Sequence, residues 1–172
     1  TMPLVRLVNT AIEAGDEKLP ALREEIVRYA GNDLLLYRAD TPRELVAEQE
    51  RVWDDALVRL ARHFGVGFRP TIGIVHQPQP QSTLDRLTQD VAVESLLPLT
   101  ALVSITGITG SGLLALALRH GLLDAEEAWI AAHVDEDWQM AQWGRDEIAL
   151  ARRDFRHSEM QAAATVLALI DS

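Results

Sequence analysis

LLDAEEAWIAAHVDEDWQMAQW, residues 122–143, is the stretch from which the fold can be read. Asp124 followed by Glu127 has the spacing of an acidic capping box, so the sequence predicts a helix beginning near Ala125. At about 100° per residue, Trp129, Ala132, Glu136, Met140 and Trp143 fall along one stripe. Ile130, Val134, Trp138 and Ala141 fall on the other side. A helix apolar on two faces is expected to pack on both sides, inside a helical assembly. Glu136 lies in the middle of the aromatic stripe, where a carboxylate is costly to desolvate unless paired. Its partner is either internal, an Arg, a His or a helix N-terminus, or a group on another molecule.

The flanking sequence reads the same way. After Gly144, Asp146 is placed to cap a last helix with Ile148, Ala151, Phe155, Met160, Ala163, Leu167 and Ile170 along its stripe. Arg152, Arg153 and Arg156 sit on its early turns, and a helical hairpin would bring them to the acidic turn at 135–137. Upstream, Ser82 is the expected cap of a helix through Leu84, Leu87 and Val91, and Pro98 is expected to open or kink the next.

In the first half, Thr1 and Pro3 predict an amphipathic helix running to Gly15, and a second runs from Pro20 to about Ala30. LLLY at 34–37 and RPTIGIVH at 69–76 read as strands. Between them, Thr41 before Pro42 and Glu44 is expected to cap a helix of about six turns, with Leu45, Val46, Gln49, Val52, Trp53, Ala56, Leu60 and Phe64 on one face. Strand, helix, strand is a crossover, and its strands would pair in parallel. The expected architecture is therefore mainly α, a multi-helix bundle with a small two-stranded parallel β element. The chain reads as one mostly helical domain, 1–172, with helices plus the crossover over 1–81 and a helical bundle over 82–172.

Composition narrows the function classes. There is no cysteine, which removes disulfides and thiolate metal sites. A net charge of −10 argues against a nucleic-acid partner, which calls for a basic footprint. The longest apolar run, LLALAL, falls far short of the roughly 20 residues of a membrane span, and no signal-like segment opens the chain. A soluble protein with no membrane insertion is expected. Aromatics are only 5% of residues against 48% hydrophobic overall, so the core must be aliphatic.

Several catalytic patterns fail on their own chemistry. GITGSG at 107–112 is glycine-rich, but Leu113 and Leu114 stand where a phosphate loop needs Lys and Ser or Thr, so no nucleotide is expected there. Close approach of two helices is the better account. HVDED at 133–137 offers a histidine and carboxylates, yet adjacent helical residues diverge, and His133 with Asp137 gives only two ligands on one flank. Neither a metal nor another cofactor is expected. Asp54 with Asp55, and Asp135 with Glu136, likewise diverge and cannot act as a catalytic carboxylate pair.

Five segments carry a family resemblance: MPLVRLVNTAI at 2–12, LLLYRAD at 34–40, TPRELVAEQERVWDDAL at 41–57, GSGLLALAL at 110–118 and DEDWQMAQWG at 135–144. In this order they resemble the assembly-chaperone family of the F-type ATP synthase, the factor that holds the newly made α subunit of the catalytic sector. The family carries a β-rich N-terminal domain ahead of the first segment, and nothing precedes Thr1 in this sequence. The resemblance implies a non-enzymatic protein that shields the unassembled α subunit until the β subunit joins, in the bacterial cytoplasm or the mitochondrial matrix. The residues expected to meet the partner are Trp138, Met140 and Trp143 as apolar anchors and Asp135, Glu136 and Gln139 for polar specificity. For Trp53 and Trp129, core packing is the expected role. The competing reading is a helical enzyme using Glu136 as an acid/base carboxylate, which would place Glu136 in a concave pocket.

Overall fold

In the computed structural model, which describes residues 2–170, the chain is a helical bundle with one two-stranded parallel sheet. The cap expected at Thr1 lies outside the described residues. α1 (Met2–Ala14) and α2 (Leu19–Gly31, with Pro20 in its first turn) follow the predicted bounds closely. β1 (Tyr37–Arg38) leads into α3 (Arg43–Gln49), a single π-helical turn (Glu50–Asp54) and α4 (Asp55–Phe64), and β2 (Thr71–Ile72) closes the crossover. The strands are parallel, with Tyr37 opposite Thr71 and Arg38 opposite Ile72. α5 (Gln81–Ala92), α6 (Leu96–Thr109), α7 (Gly112–Arg119), α8 (Ala125–Ala132), α9 (Val134–Trp143) and α10 (Glu147–Ile170) complete the bundle.

The crossover is as expected, but both strands are shorter. Leu34–Leu36 form a 3-10 turn because the Asp33 carboxylate accepts the Leu35 N–H and the Asp33 carbonyl accepts that of Leu36. Leu35 and Leu36 are buried all the same. β2 ends at Gly73, whose N–H donates the last rung to the Arg38 carbonyl. Its φ of +89° then turns the chain outward, leaving Ile74 95% exposed. Two expected caps also move, the first by one residue and the second by two: Pro42 rather than Thr41 precedes α3, and Pro80 precedes α5 with Ser82 inside its first turn.

α6 and α7 form the centre. α6 packs against α1, α2, α7 and α10, and α7 against α2, α4 and α8. Gly112 to Ala117 are all buried, so the glycine-rich segment and its leucines serve the core. The buried threonines of α6 donate to their own helix, Thr100 to the Leu96 carbonyl, Thr106 to Leu102 and Thr109 to Ile105. Gly112 sits against α2 so closely that an added Cβ would lie 2.4 Å from the Ile26 carbonyl oxygen.

Among the described residues the one buried carboxylate is that of Asp33, which no sequence signal marked. It is fully shielded from solvent between α2 and the start of α7. Ser111 Oγ donates to its Oδ1 at 2.6 Å and Leu113 N to its Oδ2 at 3.0 Å, with the N–H groups of Leu35 and Gly112 adding two more bonds. Burial pushes its pKa up to about 7 against the pull of those donors.

Trp53, in the π-helical turn, is 1% exposed, and its Nε1 donates to the Ala131 carbonyl at 2.8 Å, tying the crossover helix to α8. Trp53→Phe keeps most of the buried ring but strands that carbonyl. It should cost about 1–2 kcal/mol, read as a lower urea midpoint with unchanged helical circular dichroism.

Candidate partner-binding site

The capping box at α8 forms as predicted: Asp124 Oδ1 accepts the Glu127 N–H at 2.8 Å, and Glu127 Oε1 accepts the Asp124 N–H at 3.0 Å. The single long helix does not. His133, with φ −116° and ψ 17°, interrupts it, and its N–H turns back to the Ile130 carbonyl. α8 buries Ala128, Trp129 and Ala131, as a helix inside the bundle should. α9 buries only Val134 and runs out over the surface. The expectation of packing on both sides therefore fails for α9, and the aromatic stripe is divided. Trp129 is 5% exposed and Trp143 is 84% exposed.

The six expected contact residues are all on α9, in two groups. Asp135, Gln139 and Trp143, four residues apart, form a solvent-facing stripe, while Glu136, Trp138 and Met140 are half-buried. From Ala141 to Ile148 every residue is exposed, so the α9–α10 corner projects with Trp143 and Ile148 as its large apolar side chains. Asp135 also anchors the helix. Its Oδ1 accepts Gln49 Nε2 at 2.7 Å, and the Oε1 of that buried glutamine accepts the Ala39 N–H at 2.8 Å. Gln49 was legible as a polar residue on the apolar face of its helix, although its bond to α9 was not.

Glu136 is one-third exposed, so it is not the desolvated carboxylate that the stripe implied. Its charge faces Arg156 Nη2 at 3.8 Å and Arg153 Nη1 at 4.0 Å from α10, the hairpin pairing expected of those arginines. Arg152 takes no part and is exposed. His133 Nε2 is also 3.8 Å away, but burial holds that imidazole below its ordinary pKa. His133 is thus neutral at pH 7, with Nδ1–H donating to the Trp129 carbonyl at 2.7 Å. The short bond of Arg153 goes instead to Asp137, at 2.6 Å. Glu136 is thereby surrounded by positive charge without a close hydrogen bond, and Arg156 Nε is buried without a partner beside it. Glu136 lies outside the lining of the main grooves. The outer turns of α10 are exposed too: Ile148 and Phe155, expected on the buried stripe, are 65% and 49% exposed, whereas Met160, Ala163 and Leu167 are buried.

Comparison with known proteins matches residues 1–61 to the model of the ATP12 chaperone protein family. Atp12 from Paracoccus denitrificans superposes with a TM-score of 0.92 at 36% identity, over 98% of this chain and 72% of that one. The chain belongs to the ATP12 chaperone family. The Atu1473 protein of Agrobacterium tumefaciens, described as a candidate chaperone, matches with the same TM-score of 0.92 at 42% identity. That likeness covers 97% of this chain and 63% of the Atu1473 protein, so the chain spans about two thirds of the length of these two proteins. No helix among the described residues is long and apolar enough to cross a membrane.

Proposed function

We propose that this ATP12-family chain is an assembly chaperone that holds the unassembled α subunit of an F-type ATP synthase until the β subunit takes its place, in the bacterial cytoplasm or the mitochondrial matrix. The observation that carries the reading is Trp143. A tryptophan left 84% exposed on a projecting corner, with Gln139 and Asp135 on the same stripe, has the make-up of an apolar anchor with a polar rim. Holding needs no nucleotide, because exchange for a better-fitting neighbour is enough to release the client. The open position of Glu136, beside two arginines and outside the main grooves, favours recognition over acid/base catalysis.

The test dilutes denatured α subunit into buffer with this chain and follows light scattering, then adds β subunit. Suppressed aggregation that is relieved by the β subunit is the expected result, and unchanged scattering at a several-fold excess of the chain overturns the proposal. Trp143→Ala should weaken capture about 30-fold, the effect of removing a 2 kcal/mol anchor, without moving the unfolding midpoint. Glu136→Gln should also weaken capture with the fold intact. A large loss of stability with capture unchanged would instead make Glu136 a purely structural partner of Arg153 and Arg156.

A further inference from the structure

A groove of about 760 Å³ runs between α2 and α5 and is closed at one end by the loop from His76 to Gln81. Its floor is apolar, formed by Val27, Leu84 and Val91, and its rim carries Arg23, Arg28 and His76. Glu24 is the one carboxylate among the described lining residues. In a chain of net charge −10, this is a local reversal of sign.

The wall is held rigidly. The buried Gln79 accepts the Arg69 N–H at 2.7 Å and donates to the carbonyls of Arg69 and Gln77, while Thr83 Oγ1 donates to the Gly67 carbonyl at 2.6 Å. Pro78 and Pro80 stiffen the loop further. His76 Nδ1 is fixed on Asn32 Oδ1 at 2.9 Å, at the C-cap of α2. Arg23 donates through Nη2 to the Glu94 carbonyl, yet its Nε is buried with no partner. Next in sequence to the lining residues Ala92 and His76 stand further exposed apolar side chains, Val93 at 81% and Ile74 and Val75 at 95% and 74%. A preformed apolar trough with unspent cationic donors loses little conformational entropy when filled.

We propose that this groove is a second docking site, which takes an acidic amphipathic segment of the client protein. Apolar side chains of the segment lie on Val27, Leu84 and Ala92, and its carboxylates meet Arg23 and Arg28. The charge argument selects the sign. Most of this acidic surface repels a carboxylate-bearing segment within a Debye length of about 8 Å at physiological salt, so such a segment settles where the rim is basic. The apolar floor selects a peptide over a small anion. Identification of the client rests on the function proposed above; the chemistry of the segment does not.

The experiment places a photo-crosslinking p-benzoylphenylalanine at Thr88, an exposed groove residue, or at Gln139 on the α9 stripe. Each protein is mixed with ATP synthase α subunit during dilution from denaturant, and adducts are mapped by mass spectrometry. The Thr88 probe should mark an α-subunit segment bearing several carboxylates around apolar residues. Arg28→Glu, and Arg23→Glu with Arg28→Glu, should cut that adduct at least tenfold with helical circular dichroism unchanged. The single variant leaves the Arg23 bond to Glu94 in place and so decides the matter if the double variant misfolds. Adducts at Gln139 with none at Thr88 overturn the groove proposal and leave the client reading standing. Thr88 adducts to a second copy of this chain, or to a basic segment, overturn it as well. The absence of adducts from both probes overturns both proposals.

Discussion

Asp33→Ala should lower the free energy of unfolding by about 4 kcal/mol, because it leaves the N–H groups of Leu35, Gly112 and Leu113 buried without an acceptor. Ser111→Ala should cost about 1–2 kcal/mol, since it removes the Oγ that accepts the Leu114 N–H at the start of α7. The pH dependence has a definite sign. In the unfolded chain Asp33 ionises near 3.8, whereas in the folded chain it holds its proton up to about 7. Between those values the folded state binds more protons, so this group's contribution is largest at acid pH, falls as pH rises toward 7 and is level above it. Comparison with Asp33→Asn isolates that contribution from the other carboxylates. Measured by urea unfolding from pH 5.5 to 8, clear of the pI near 4.9, the stability advantage of Asp33 over Asn should shrink as pH rises. An advantage that stays level across this range would mean that the four donors hold the carboxylate ionised throughout.

The contrast between Asp33 and Glu136 shows which parts of the structure were legible in the sequence. Helices and most of their ends could be read because the information is local. The capping box at Asp124 and Glu127, Pro20 in a first turn and Asp146 at the start of α10, where it accepts the Ile148 N–H, lie within a few residues of what they cap. The crossover was legible from the alternation of a long amphipathic helix with apolar runs. The length of its strands was not, because period alone does not separate a strand from a 3-10 turn in LLLY, and Asp33 decides for the turn. Glu136 drew attention because it interrupts an aromatic stripe, but a stripe predicts burial only while the helix stays on the core. The break at His133 takes α9 off it. Charge complementarity between consecutive helices still pointed to Arg153 and Arg156. Asp33 gave no such sign. Its donors on Ser111 and Leu113 stand 78 and 80 positions away, so the network exists only once α7 has docked on α2.

That docking is what Gly112→Ala should break. The added methyl would lie 2.4 Å from the Ile26 carbonyl oxygen and 3.0 Å from the Ala30 nitrogen, and both are helix backbone that cannot rotate aside. Moving α7 away from α2 is the only relief, at a cost of about 3 kcal/mol. Gly110 tests a different constraint two residues earlier. With φ +72° and open space around its Cα, Gly110→Ala meets no clash but holds alanine in the left-handed region, for about 1 kcal/mol. Gly107, inside α6 with open space where a Cβ would go, should gain slightly from alanine. Urea unfolding of the three variants should therefore rank Gly112→Ala far below Gly110→Ala, with Gly107→Ala at or above the parent chain. The double variant Asp33→Ala, Gly112→Ala adds a sharper criterion. If displacement of α7 already pulls Leu113 N away from Asp33, the two losses overlap, and the pair should cost clearly less than the sum of its members. Strict additivity would mean that the helix contact at Gly112 and the carboxylate network are independent, and would separate the tight seam between α2 and α7 from the buried charge beside it.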